Sequence, residues 1–271
     1  MKTIKPVLAV CIVVISQMLL SCFPDHGDKD LRIKSFTWDN VRYYAEYTHR
    51  GLLTKLKATD RNIVFYYDEN QRLYKAEIVF QGSLSPESVF DYVQGPKGIT
   101  RITWKRDGSV YLLTDFTYAG DGRLTKILNA FGGSTDPYNQ HDLTLTYQGN
   151  NVSKLVLSLG GPFTQMRTES FDNKKNPFRM LAKSVNNPAF FPVGFYVFFQ
   201  VPVDYNIPYI TWLSENNPGE LVYETPGDVG GFHEFFPMAY VYNHDFVTKI
   251  TWGSVSAPSI ERIFEFEYGF Y

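Results

Sequence analysis

The sequence predicts an antiparallel all-β fold, a meander of successive hairpins forming a curved sheet or an open barrel-like structure. Three observations predict it. Alternation with period two, as in Leu143-Thr-Leu145-Thr-Tyr147 and Leu155-Val-Leu157-Ser-Leu159, puts apolar side chains on one face only. Between such runs lie residues that accept positive φ: Asp121-Gly122, Asn150-Asn151 and Asn243-His244-Asp245. No stretch holds a helical period beyond about two turns, whereas the runs match the usual strand of about 5–6 residues.

Taken in order, the chain starts with Lys2 and Lys5, followed by Val7 to Leu20, an apolar run broken only by Cys11, Ser16 and Gln17. A short positive start and an apolar stretch too short for a comfortable transmembrane helix make a secretory signal. It ends Leu19-Leu20-Ser21-Cys22, which resembles the bacterial lipobox. The resemblance implies a diacylglyceryl group on the Cys22 thiol, cleavage after Ser21 and acylation of the new terminus. Each buried acyl carbon contributes about 0.8 kcal/mol, so several chains together anchor stably where one would not. Residues 1–21 are thus expected to be a signal peptide and residues 22–34 a lipidated acidic tether containing Phe23-Pro-Asp-His-Gly-Asp-Lys-Asp30. Residues 35–271 are expected to form a single repetitive β-domain. Phe23 is not the aspartate that retains lipoproteins at the inner membrane, so the expected location is the outer membrane, on either face.

Cysteine use agrees with export. Cys11 leaves with the signal and Cys22 carries lipid, so the body has no thiol, disulfide or cysteine metal site. Loss of Lys2 and Lys5 leaves 24 basic against 28 acidic residues, with no basic run, which argues against nucleic acid as a partner.

The body repeats. A tyrosine is followed seven or eight residues later by lysine in Tyr47–Lys55, Tyr67–Lys75, Tyr118–Lys126, Tyr147–Lys154 and Tyr242–Lys249. Each unit has alternation, turn residues and renewed alternation, which is a hairpin. Trp104-Lys-Arg-Asp107-Gly108-Ser-Val110 adds one more. Tyr67-Asp68 with Arg72-Leu73, and Gly120-Asp-Gly-Arg-Leu124, resemble YD repeats of the RHS type. Phe171-Asp-Asn-Lys-Lys-Asn-Pro-Phe178, Leu213-Ser-Glu-Asn-Asn-Pro218 and the hairpin Tyr240–Ile250 resemble uncharacterised Bacteroidota lipoproteins, among them a family of unknown function described as porin-like in fold. That resemblance implies an open or closed antiparallel barrel-like sheet and brings no activity. Asn176-Pro177 is expected to form a turn between strands, because proline cannot donate to a ladder.

Chemistry is sparse. His26 falls in the tether and His49 and His244 in expected hairpin turns, where all three would be solvated. His233-Glu234 lacks a second histidine four residues on, and His141 stands alone, so no metal is expected. There is no Gly-x-Ser-x-Gly elbow, since Gly253-Ser254-Val-Ser256 lacks its closing glycine. The glycine pairs 132–133, 160–161 and 230–231 read as turns, and no cofactor is expected. Glu265 and Glu267 share one strand face about 7 Å apart, a separation suited to glycoside hydrolysis but equally to a solvated face opposite an aromatic core. Trp38, Trp104, Trp212 and Trp252 lie in or beside expected strands, where packing is the ordinary role and sugar stacking the alternative. Residues 188–210 are apolar and proline-broken, fit for plugging the sheet or for meeting a partner or membrane.

The expected function is a non-enzymatic, outer-membrane-anchored module that binds or scaffolds something at the cell envelope. A glycan or an envelope protein is the expected partner. A glycoside-acting enzyme built on Glu265 and Glu267 is the reading from another class.

Overall fold

The structure is a computed structural model that describes residues 31–38, 40–136, 140–158, 163–185, 209–225, 233–253 and 261–271. Cys22, with the rest of the stretch expected to be signal and tether up to residue 30, lies outside the described residues, as does most of the apolar segment 188–210. The first strands are β1 (Leu31–Trp38), β2 (Val41–Tyr47), β3 (Leu53–Lys57), β4 (Arg61–Tyr67), β5 (Leu73–Phe80) and β6 (Ser88–Gly95). There follow β7 (Gly98–Arg106), β8 (Ser109–Tyr118), β9 (Leu124–Phe131), β10 (Gln140–Gln148), β11 (Asn151–Ser158) and β12 (Phe163–Arg167). A digression holds β13 (Phe171–Lys175), α1 (Pro177–Ser184), α2 (Tyr209–Leu213) and β14 (Asn216–Pro218). The chain then completes β15 (Glu220–Glu224), β16 (His233–Asn243), β17 (Phe246–Gly253) and β18 (Glu261–Phe270).

The expected hairpin meander is what forms, and it closes. Each strand pairs antiparallel with its sequence neighbour, β12 pairs across the digression with β15, and β1 pairs with β18 as well as β2. The result is a closed barrel of 16 strands rather than an open one. Closure follows from composition: β1 and β18 each carry the same alternation as the inner strands, so neither is fit to be a bare edge. Strand β1 begins at Leu31, within the stretch read as tether, and Leu31 already opposes Phe270.

The two faces of the wall differ sharply. One carries Phe36, Leu56, Ile63, Phe90, Ile127, Leu143, Ile250 and Phe264, all at 3% exposure or less. The other carries cross-strand ion pairs, Arg42–Glu267, Arg101–Asp115, Lys105–Asp91, Lys126–Asp142 and Arg167–Glu224, with Lys75–Glu77 along β5. Side chains on the convex side of a barrel have only their own neighbours to shield them and stay partly open. Side chains hidden this completely must therefore face the lumen. Helix α1 packs on the same face, where Phe178 is fully buried and meets Phe264 and Phe266 edge-on. A wall of 16 strands ordinarily leaves a watery channel. Here aromatic side chains and inserted helices occupy it instead, and each fully buried Leu, Ile or Phe contributes roughly 1.5–3 kcal/mol.

Asn176-Pro177 is corrected. It starts helix α1 instead of turning between strands, with Asn176 as N-cap accepting from the Phe178 N–H at 3.0 Å and Pro177 in the first turn. Proline there loses no helical bond, and asparagine satisfies an orphan donor.

Candidate functional site at the proximal rim

Alternation of strand direction gathers one set of turns with Leu31 and Phe270 at one end of the barrel, here called the proximal rim. The recurrent tyrosines lie there. Tyr47, Tyr67, Tyr118, Tyr147 and Tyr242 each sit at a bulge, opposite Leu53, Leu73, Leu124, Val152 and Val247. An extra residue at a bulge twists the strand and turns the ring along the rim. The hydroxyls then latch neighbouring hairpins. Tyr47 donates to Ile33 O at 2.7 Å, Tyr67 to Leu53 O at 2.6 Å and Tyr118 to Ile99 O at 2.7 Å. Tyr268 donates to Val247 O at 2.7 Å. In β6, Gln94 takes the tyrosine's place, and its Nε2 donates to Leu73 O at 2.6 Å. Burial pushes the Tyr47, Tyr67, Tyr118 and Tyr268 phenols far up, so these donors stay protonated.

The digression is tied over this rim by buried amides. Asn176 Nδ2 donates to Thr211 O and to Ser214 O at 3.0 Å, joining α1 to the end of α2. Asn151 in the β11 hairpin exchanges two bonds with Asn216, at 2.9 and 3.1 Å. Asp172 accepts from the Asn217 N–H at 3.0 Å, from Asn217 Nδ2 at 2.9 Å and from the Tyr242 hydroxyl. Burial and then this carboxylate bond push the Tyr242 phenol up. The sequence stretches 171–178 and 213–218 thus form one hydrogen-bonded knot.

Two hollows flank α1. The smaller, about 150 Å³, has Tyr118, Arg123, Tyr147, Arg179 and Glu215 in its wall. The larger, about 380 Å³, is lined by Leu31, Ile33, Met180 and Leu181 below and Arg32, Lys175 and Lys183 around its mouth. Glu215 receives both Arg179 at 3.0 Å and Lys183 at 2.7 Å. Burial alone would raise its carboxyl, but the Lys183 hydrogen bond and the Arg179 charge hold it below the usual range. One carboxylate against two cations leaves a positive surplus. Arg32 lies over the Tyr47 ring, 5.5 Å from its centroid, and its guanidinium packs on Gly51. A Cβ on Gly51 would come within 2.2 Å of Arg32 Nη2, and φ there is +87°, so glycine is required twice over.

The residues singled out in the sequence do not converge. Glu265 and Glu267 stand on the charged outer wall of β18, where Arg42 at 2.5 Å and Ser35 at 2.9 Å engage Glu267. Neither lines either of the two hollows beside α1. Trp104, Trp212 and Trp252 are buried, so none of the three offers a sugar platform. His49 and His244 are exposed in hairpin turns, as expected. His141 is buried against the edge of Phe131, and burial lowers its pKa. His233 lies 3.4 Å from Glu224 at the opposite rim. Among the described residues no three His, Cys, Asp or Glu side chains cluster as metal ligands. The cationic hollow escaped sequence reading, because Arg32, Gly51 and Lys183 meet only on closure of the barrel.

No protein-family model matches the chain, and no curated protein does. Solved structures do. A porin-like protein from Bacteroides uniformis ATCC 8492 superposes with a TM-score of 0.53 at 11% identity, covering 89% of this chain and 97% of that one. A porin-like protein from Bacteroides vulgatus ATCC 8482 gives 0.52 at 12% identity, covering 89% and 99%. At such identity the likeness is one of fold.

Proposed function

We propose that this chain is a lipid-anchored, non-enzymatic barrel of the outer membrane whose body stands in water and serves as a binding or scaffold module of the cell envelope. The observation that carries this reading is the polarity of the wall. A membrane-spanning barrel turns an apolar band outward and keeps its lumen polar, and a lysine or arginine at the bilayer midplane costs about 2–4 kcal/mol. This wall is the reverse, with ion pairs outside and an aromatic core inside. Surface pairs of this kind add only about 0–1 kcal/mol each, so their main effect is solubility. The lipobox at Cys22 supplies the membrane attachment that the wall does not. The porin-like fold of the Bacteroides structures agrees with an envelope protein. The tyrosine hairpins fit YD-like units of a Bacteroidota lipoprotein family.

Between the two partner classes, an envelope protein is favoured over a glycan. Outward aromatics do exist, but Tyr66 and Tyr74 are tilted at 50° to one another, and Tyr66 is held by Glu77 at 2.7 Å. Such a pair lacks the coplanar face that a sugar ring stacks on. The test is conductance in planar lipid bilayers together with cross-linking in intact cells. The expected results are no channel steps and a protein cross-linked to the barrel. Stepwise, voltage-stable conductance would refute the reading.

A further inference from the structure

We propose that the larger hollow of the proximal rim binds the phosphate headgroup of an anionic phospholipid in the membrane that holds the anchor. The inference rests on the anchored-barrel reading given above, and four observations carry it.

Arg32 has no carboxylate partner among the described residues, although it is the least exposed of the three cations lining the hollow and is held in place by Tyr47 and Gly51. A guanidinium fixed in this way presents a fork of donors that matches a phosphate. Lys175 and the surplus positive charge beside Glu215 stand at the same mouth. The floor of Leu31, Ile33, Met180 and Leu181 is apolar, which suits the glycerol and first acyl carbons of a lipid better than a free anion.

Location selects the same ligand. Leu31 lines the hollow and is the first residue of β1, so the chain enters the barrel here. From Cys22, residues 23–30 can span at most about 28 Å when fully extended. The proximal rim is therefore the end that faces the bilayer. Phe270, 79% exposed, and Tyr271 stand on it beside the hollow, as aromatic side chains do at a membrane interface.

The experiment uses a chain of residues 22–271 carrying Cys22→Ala and produced without the signal segment, so that neither acyl chains nor the apolar run Val7–Leu20 contributes and headgroup binding is read alone. It is co-sedimented with phosphatidylcholine vesicles and with vesicles that also contain phosphatidylglycerol. The expected result is binding to the mixed vesicles only, weakened by salt. Arg32→Gln or Lys183→Gln should lower the affinity roughly fivefold each, the usual share of one cation near an anionic surface. Arg106→Gln, which removes the same charge at the opposite rim, should change nothing, and the thermal transition of each variant reports that it has folded. Equal affinity for the two vesicle types, or equal loss with Arg106→Gln, would overturn the assignment. So would binding of inorganic phosphate by a chain that ignores the mixed vesicles. If this chain, with neither signal segment nor acyl group, proved integral to membranes, that would instead overturn the anchored-barrel reading, and the headgroup assignment with it.

Discussion

Tyr67 shows how one hydroxyl connects hairpins. Its ring closes the β4 bulge while its oxygen donates to Leu53 O, the carbonyl of the residue that faces Tyr47 one hairpin earlier. Tyr67→Phe keeps the ring and leaves that carbonyl without its donor, which should cost about 1–2 kcal/mol in urea unfolding. An unchanged midpoint would mean that the latch is ornamental. His141 gives a pH dependence. Burial lowers its folded pKa, whereas the unfolded residue titrates near 6.5. The unfolded chain therefore binds more protons below that pH, and the contribution of His141 is present above it and lost as the solution is acidified. His141→Phe should flatten the fall of Tm between about pH 6.5 and 5. A fall as steep as that of the wild type would contradict this.

At the scale of elements, α1 depends on Asn176. That side chain caps the helix and also bridges it to Thr211 O and Ser214 O. Asn176→Ala should cost about 2–3 kcal/mol, the loss of a cap together with buried carbonyls left unpaired. Hydrogen exchange should quicken in residues 177–184 before it does in the wall, and uniform protection would argue against a separable lid. The same element marks how far the sequence could be read. Strands and turns were legible because alternation and Asp-Gly or Asn-rich turns act locally, and the five tyrosine units each mark a real hairpin. Asn176-Pro177 misled because the pair is as apt for a helix start as for a turn, and two turns of helix give too little periodicity to decide. The hollow beside α1 was illegible for another reason. Arg32 and Lys183 are far apart in the chain, and only the pairing of β1 with β18 and the docking of α1 bring them to one mouth.

For the molecule as a whole, an apolar lumen and a charged wall fit the proposed division of work between fold and anchor. The barrel gains its stability from aromatic burial. In the proposed reading the attachment rests on Cys22, at the end of four residues that resemble a lipobox. The most direct test is fractionation of cells that produce the Cys22→Ala chain behind a signal peptide whose cleavage needs no lipidated cysteine, so that residues 1–21 are removed. The account predicts a folded, monodisperse barrel in the aqueous fraction without detergent. A chain that remains in the membrane pellet through alkaline carbonate extraction would show that the wall itself is embedded, and would contradict the account.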